Sequence, residues 1–402
     1  MEASYGYCSK IHYGEDMREK MTIIVFINNY LPGVKAGGPV RSIANLVEHL
    51  GNKFNFKIIT SDRDLGDKTA YSNIDVDKWN TVGNASVFYM SPKYKNMKSM
   101  LRILKETPHD VIYINSFFNF IFSVVPLIMY KLKLVKKPVI IAPRGELMDG
   151  SIRIRYVKKK IYMTLSHFLG IYDNCMWQAS NELEASSIKK IFLGKIEAMT
   201  VTSNLASVTY IDIGDHAKKI YNHLNICYVS RISEKKNLIF VLEILSQVKE
   251  DITISIYAPI EDVFYWNRCQ KFINNLPKNV KVEYKGVIDN SIVVKTISNY
   301  DLFFLPTLGE NFGHCIVEAM LAGTPVLISD TTPWRDLESK GVGWDKSLSR
   351  PQDFLDVVNK LIPMGEDEYL PLKKRVLSYA KDFVFDEESI QKNINMFLNV
   401  HN

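Results

Sequence analysis

Glu310 and Glu318 stand eight positions apart in Glu310-Asn311-Phe312-Gly313-His314-Cys315-Ile316-Val317-Glu318-Ala319-Met320. Two carboxylates at that spacing can accept hydrogen bonds from sugar hydroxyls on either side of a bound anion, provided a helix starts between them. The flanking residues predict that helix. Residues 303–305 are a short apolar run that reads as a buried parallel strand, broken by Pro306 and Gly309. A helix beginning near Gly313 carries Ile316, Ala319 and Met320 on one face. Gly323 can cap it and Pro325 stops it, before a further strand at 326–328. Glu310 therefore belongs on a loop at the carboxyl end of a strand, and Glu318 about a turn and a half into the helix. In open α/β sheets that crevice takes ligands, and the N–H groups of a helix start favour a phosphate. Glutamate near a helix start also complements the macrodipole with no ligand at all, so the spacing alone leaves both readings open.

Other positions carry charge to similar places. Arg231 and Lys236 flank a turn between a strand and a helix, where two cations can hold a diphosphate from two directions. By themselves they are equally a solvated basic loop. Gly37 and Gly38 end the loop after the first strand, where glycine lets a ligand approach the backbone. That loop has neither the G-x-G-x-x-G spacing nor the Lys-Ser/Thr of the usual phosphate fingerprints. Arg144 follows the strand at 139–142 and would meet an acceptor or a phosphate, or else pair with Glu146. Arg153, Arg155, Lys158, Lys159 and Lys160 form a basic cluster suited to an anionic lipid surface or simply to solvent. Asp62-Arg63-Asp64 and Asp75-Val76-Asp77 have a metal-binding spacing, but Arg63 would repel a cation and no metal is expected.

The elements that must position these groups alternate strand and helix throughout. Strands are predicted at 22–27, 56–60, 87–90, 111–115 and 139–142, with a helix over 38–50. The pattern restarts near 226, with strands at 226–229, 252–257, 281–284, 302–305 and 326–328. This implies two doubly wound α/β sheets facing a cleft. The expected division is a polar leader at 1–20, a first domain at 21–205, a second at 206–386, and a final amphipathic helix within 387–402. The chain has 402 residues, enough for two cores. The formal net charge is +6, too little for a dedicated nucleic-acid binder but compatible with phosphorylated ligands. The five cysteines show neither zinc spacing nor a disulfide framework, which fits a reducing cytoplasm. The apolar stretch 117–130 is too short to span a bilayer and reads as a buried helix.

Taken in order, these motifs resemble the retaining glycosyltransferases of family four, which have the GT-B fold of two Rossmann-like domains. The likeness covers roughly residues 21–400. It is carried mainly by Pro306-Thr307-Leu308-Gly309-Glu310-Asn311-Phe312-Gly313 and Glu318-Ala319-Met320. Gly38-Pro39-Val40-Arg41-Ser42, Ala142-Pro143-Arg144-Gly145 and Trp334 with Gly343-Trp344 resemble bacterial members that build surface polysaccharides. The resemblance implies that Arg231 and Lys236 bind the donor diphosphate, Glu310 the donor sugar and Glu318 the ribose. It implies that Gly37 and Gly38 lie against phosphates or sugar, with Asn311, Phe312, Gly313 and His314 completing the donor site. The main chain near Gly286 and Val287 would meet the base. Asn115 and Arg144 would face the acceptor, and the last helix would cross back to the first domain. Asn115 stands where many members have histidine; it can hydrogen-bond a sugar but takes up no proton. Asn237 replaces a frequent glycine.

The expected reaction moves a sugar from a nucleotide diphosphate donor to a glycan or lipid-linked acceptor, with no cofactor and with charge supplied by Arg231, Lys236 and the helix start rather than by a metal. A nucleotide-sugar epimerase of the same layout and a non-catalytic sugar-nucleotide-binding partner are the alternatives. The expected place is the cytoplasm, with a peripheral membrane contact.

Overall fold

The computed structural model describes residues 20–148, 151–152, 156–192, 196, 198–215 and 217–400. Nearly all of the expected leader, and Arg153 and Arg155 of the basic cluster, lie outside the described residues. Two sheets account for the strands among the described residues. The first has eight, β1 (Thr22–Ile27), β2 (Asn55–Ser61), β3 (Trp79–Val82), β4 (Ala85–Met90), β5 (Val111–Asn115), β6 (Val139–Ala142), β7 (Met176–Ala179) and β8 (Ala198–Val201), in the order β3-β4-β2-β1-β5-β6-β7-β8. All pair in parallel except β3, which runs antiparallel to β4. The second has six, β9 (His223–Val229), β10 (Asp251–Tyr257), β11 (Val280–Gly286), β12 (Leu302–Leu305), β13 (Val326–Ser329) and β14 (Gly343–Lys346), in the order β11-β10-β9-β12-β13-β14, all parallel.

Central strands such as Ile23-Ile24-Val25-Phe26 and Leu302-Phe303-Phe304-Leu305 are fully buried, because helices cover both faces of a parallel sheet. Alternate residues of β1 feed different cores. Ile24 and Phe26 join one, while Ile23, Val25 and Ile27 join the other. The final helix, Glu387–Leu398, contributes Ile394, Met396 and Phe397 to that second core of the first sheet. The Phe397 ring lies 5.4 Å from both Phe54 and Tyr113, and Asn393 donates to the Ser203 carbonyl at 3.1 Å.

The stretch 117–130 is helical from Phe120 onward. A π-helical turn at Phe120–Val124 runs directly into a helix at Val125–Lys131, with Phe122, Val124, Val125, Leu127 and Met129 buried and Phe120 65% exposed. Asn119 Oδ1 caps the turn by accepting from the Phe122 N–H at 2.8 Å.

The strand order locates the site before any side chain is considered. Strand order reverses at β1, between β2 and β5, and at β9, between β10 and β12. Chains leaving adjacent strands at such a point diverge to opposite faces and open a crevice at the carboxyl edge. Gly37 and Gly38 follow β1, and Asn115 ends β5. Arg231 and Lys236 follow β9, and Glu310 follows β12.

Candidate functional site

The loops after β9 and β12 are stitched together by their backbones. The Lys235 carbonyl accepts from the Leu308 N–H at 2.8 Å and from Thr307 Oγ1 at 3.1 Å. Asn237 donates to the Pro306 carbonyl at 3.1 Å. Asn237 has φ of 59°, a left-handed conformation that asparagine tolerates where most residues do not, so it stands in for glycine at this helix entry. This stitching places the Lys236 ammonium directly against the Glu310 carboxylate, with both side chains about nine-tenths buried.

Two further cations flank that pair. Arg231 pairs with Glu261 at 2.9 Å near the surface, and Lys235 stands beside it, a residue the sequence reading assigned no role. Burial holds the Lys235 ammonium below the usual lysine range; Glu310 opposes that shift, and neighbouring Lys236 and Arg231 add to it. Opposite them is the glycine loop. Gly37 has φ of 71°, and a Cβ there would stand 3.8 Å from Arg231 Nε. The loop of one half thus faces the cations of the other across a narrow gap.

The helix His314–Leu321 is held by its entry. Trp334 Nε1 donates to the Phe312 carbonyl at 2.6 Å, and the Phe312 ring lies 4.6 Å from the His314 ring. His314 reaches into the first half, where its Nε2 lies 2.9 Å from Ser42 Oγ and its Nδ1 3.5 Å from Asn45 Nδ2. Burial, with Arg41 and Arg144 nearby, lowers its imidazole to about 3, so it is neutral near pH 7. Glu318 is 4% exposed and faces Arg41 of the first half at 3.1 Å. Burial raises its carboxyl above the usual range, and Arg41 partly offsets this.

Asn311 also points across the cleft. Its carbonyl accepts from Asn181 at 2.8 Å, its Oδ1 from the same amide at 3.1 Å, and its Nδ2 reaches Ser180 Oγ at 3.2 Å and Glu184 Oε2 at 3.3 Å. Gly145 lets this happen, since a Cβ there would press to 3.1 Å from Asn311.

On the first sheet, Arg144 and Asn115 do meet. Arg144 Nε donates to Asn115 Oδ1 at 2.9 Å, and its other nitrogens reach the Tyr113 hydroxyl at 2.5 Å and Asn204 Oδ1. Asn115 is 1% exposed, and its Nδ2 has no hydrogen-bond partner among the described residues. The alternative reading of an Arg144–Glu146 ion pair is corrected. Glu146 turns away to accept from Ser116 Oγ and from the Phe117 and Phe118 N–H groups at 2.8–2.9 Å. It acts as a turn brace, because its carboxylate finds three donors there.

Gly286, at the end of β11, has φ of 75°, and its carbonyl accepts from the Ala258 N–H at 2.7 Å. Val287 is 45% exposed. Strand β11 is the sheet edge, two strands out from β9, so these residues lie along the carboxyl edge rather than against Lys236. Of the aspartate pairs, Asp64 accepts from the Val34 and Lys35 N–H groups, and Asp77 from Ser91. Among the described residues no three His, Cys, Asp or Glu side chains gather as a metal site.

Residues 217–382 match the family described as Glycosyl transferases group 1, and this stretch contains Arg231, Lys235, Lys236, Glu310 and Glu318. The second half of the chain is therefore similar to the glycosyl transferases group 1 family over that stretch. The fold of the whole is GT-B. The chain is similar to the Anabaena protein Alr3699/HepE solved with UDP-glucose, with a TM-score of 0.68 at 16% identity over 94% of this chain and 100% of that one. It is also similar to sucrose-phosphate synthase from Thermosynechococcus elongatus, with a TM-score of 0.67 at 11% identity over 95% and 99%. A sequence relative is an uncharacterized 41.2 kDa protein in the cps region of Klebsiella pneumoniae, 26% identical over 255 residues. That match takes in 60% of this chain and 66% of the relative, just under two thirds of its length.

Proposed function

We propose that the protein moves a sugar from a nucleotide diphosphate donor to a glycan or lipid-linked acceptor, with retention of anomeric configuration, in surface polysaccharide synthesis. The observation that carries this reading is the buried Lys236–Glu310 pair at the crevice between β9 and β12, flanked by Arg231 and Lys235 and faced by Gly37. Departure of the nucleotide diphosphate builds negative charge on its oxygens. Three fixed cations and the N–H groups of the helix start at Gly313–His314 stabilise that charge, so the reaction needs no metal. Arg231 exchanges Glu261 for a phosphate at little cost, since an exposed pair contributes at most about 1 kcal/mol. As Lys236 turns to the phosphate, Glu310 is released to a hydroxyl of the donor sugar.

Glu318 holds the ribose once Arg41 yields it, and the main chain at Gly286 and Val287 meets the base. Asn115 and Arg144 line the acceptor side. Glu310 engages a donor hydroxyl rather than the anomeric carbon, so the acceptor hydroxyl attacks from the face the diphosphate leaves and passes its proton to the departing diphosphate oxygen. The group 1 similarity supports sugar transfer, the UDP-glucose complex of the Anabaena protein suggests the first donor to try, and the cps relative suggests the polymer. The reading places the protein in the cytoplasm, at the inner face of the membrane.

A second reading, a non-catalytic sugar-nucleotide-binding protein, is favoured by Asn115, which takes no proton and is already engaged by Arg144. Incubation with a panel of nucleotide diphosphate sugars, UDP-glucose first, followed by proton NMR, separates the possibilities. Transfer or slow hydrolysis giving the donor's own anomer supports the proposal. An inverted product refutes retention, epimerised donor without acceptor indicates an isomerase, and binding without turnover favours the second reading.

A further inference from the structure

The helix Tyr156–Phe168 has two apolar faces. The inner face packs on the first sheet. Tyr162 lies 5.6 Å from the Phe117 ring and 5.7 Å from the Phe118 ring, Met163 joins the same core, and Ser166 is buried. Lys159 lies on this side too, with its Nζ 2.7 Å from the Ser151 carbonyl and 4.7 Å from the Phe118 ring centre. A surface helix of a globular protein turns polar residues to the opposite face. Here that face carries Val157, Ile161, Leu165 and Phe168, exposed by 67, 55, 55 and 86%. Leu169, 57% exposed, follows directly. Steps of four, four and three residues put the row on one stripe, opposite Tyr162 and Ser166. At 3.6 residues per turn, Lys158 falls on one edge of the stripe and Lys160 on the other. A lone exposed leucine is ordinary, but a continuous apolar row rimmed by charge marks a docking surface.

We propose that this helix lies in the interfacial layer of an anionic lipid bilayer, with Val157, Ile161, Leu165 and Phe168 inserted and Lys158 and Lys160 on the headgroups. Charge selects the occupant. The helix contains lysines on both edges of the row and neither Asp nor Glu. It has 13 residues, and no described helix is long and apolar enough to cross a membrane, so it lies on the bilayer and does not span it. The attachment is carried by the apolar row, which goes beyond a purely electrostatic contact of the basic cluster. It does not depend on the sugar chemistry. The helix rests on Phe117 and Phe118, just past Asn115. If the transferase reading holds, the bilayer therefore sits beside the acceptor edge of the first sheet, where a lipid-tethered acceptor arrives.

The test is co-sedimentation of the full chain with vesicles of phosphatidylcholine mixed with phosphatidylglycerol, against phosphatidylcholine alone. Wild type should sediment with the mixed vesicles. The double variant Ile161→Asp, Phe168→Asp should lose binding by roughly a hundredfold or more. Lys158→Ser with Lys160→Ser should weaken it roughly thirtyfold, and added salt should do the same. All four positions are at the surface, so thermal unfolding should match wild type, and sugar transfer to a soluble acceptor should persist in both variants. Wild type remaining in the supernatant overturns the proposal, as does a row variant that binds like wild type. So does a concentration-dependent dimer, abolished by the row variant, in a protein that ignores vesicles, for the row would then join copies of this chain.

Discussion

Arg41 and Glu318 face each other at 3.1 Å, one on the helix that follows β1 and the other on the helix that follows β12. The pair ties the two halves together, and Glu318 is almost wholly removed from water. Arg41→Met strands a buried carboxylate, at a cost of about 3–5 kcal/mol near neutral pH. The pH dependence has a definite sign. Without Arg41 the folded-state carboxyl rises further above its unfolded value, so the folded variant binds the proton more tightly than wild type does. Its stability deficit relative to wild type is therefore small while both folded carboxyls hold their proton, and it grows as pH rises from the wild-type folded value, already above the unfolded one, toward the variant's higher value. Denaturant unfolding at a series of pH values checks this, and the double variant Arg41→Met, Glu318→Leu should recover most of the loss.

The Lys236–Glu310 pair separates folding from chemistry. Lys236→Met or Glu310→Leu alone leaves one charge nine-tenths buried and should lower stability by about 3–5 kcal/mol. Each should also cut transfer at least about a hundredfold. Combining them removes both charges, so thermal stability should return while turnover stays lost. Recovery of turnover in the double variant would show that the pair is structural.

How far the sequence foretold this site depends on where each contact lies along the chain. The central strands were legible because parallel strands covered on both faces are written as unbroken apolar runs. Strands β3, β7, β8 and β14 were not. Each is four residues long, and Trp79-Asn80-Thr81-Val82 or Gly343-Trp344-Asp345-Lys346 has neither a run nor a clear alternation. Within the site, Arg231, Lys236 and Glu310 were legible because each follows a predicted strand. Their mutual contact was not, since it needs the order β9-β12 in the sheet. Lys235 was overlooked beside Lys236, although its neighbours in the loop were the signal. Arg41, His314 and Asn311 show the larger limit. Their partners lie across the cleft, 272 residues apart for Ser42 and His314 and 130 for Asn181 and Asn311, and no local pattern encodes such pairs.

Arg144 offers a test of the polar cluster at the carboxyl edge of the first sheet. Its backbone has φ of 55°, a costly conformation for a residue with a side chain, yet its guanidinium satisfies Asn115, Tyr113 and Asn204. Arg144→Ala keeps the backbone cost and loses the contacts, and should destabilise by about 2–4 kcal/mol. Arg144→Gly loses the same contacts but relieves the backbone, and should be about 1 kcal/mol less damaging. Urea midpoints of the two variants check the difference.

His314 should impose an acid sensitivity. Its folded value, about 3, lies below the unfolded value of about 6.5, so the unfolded chain binds a proton that the folded chain refuses. Its contribution is therefore constant above about pH 6.5 and falls by roughly 1.4 kcal/mol per pH unit as pH drops from there toward 3. Glu318 has the opposite sign, so the difference between wild type and His314→Gln isolates the histidine. That difference in unfolding free energy should shrink as pH falls from 7 to about 5.

The most direct measurement is a calorimetric titration of a nucleotide diphosphate, UDP first and then the other bases, into wild type and into the double variant Lys236→Met, Glu310→Leu. The cations after β9 are predicted to hold the diphosphate, so one nucleotide should bind wild type and bind the double variant roughly a hundredfold more weakly, with thermal stability unchanged. Equal affinity in the two proteins, or no binding of any nucleotide diphosphate to wild type, would contradict the account.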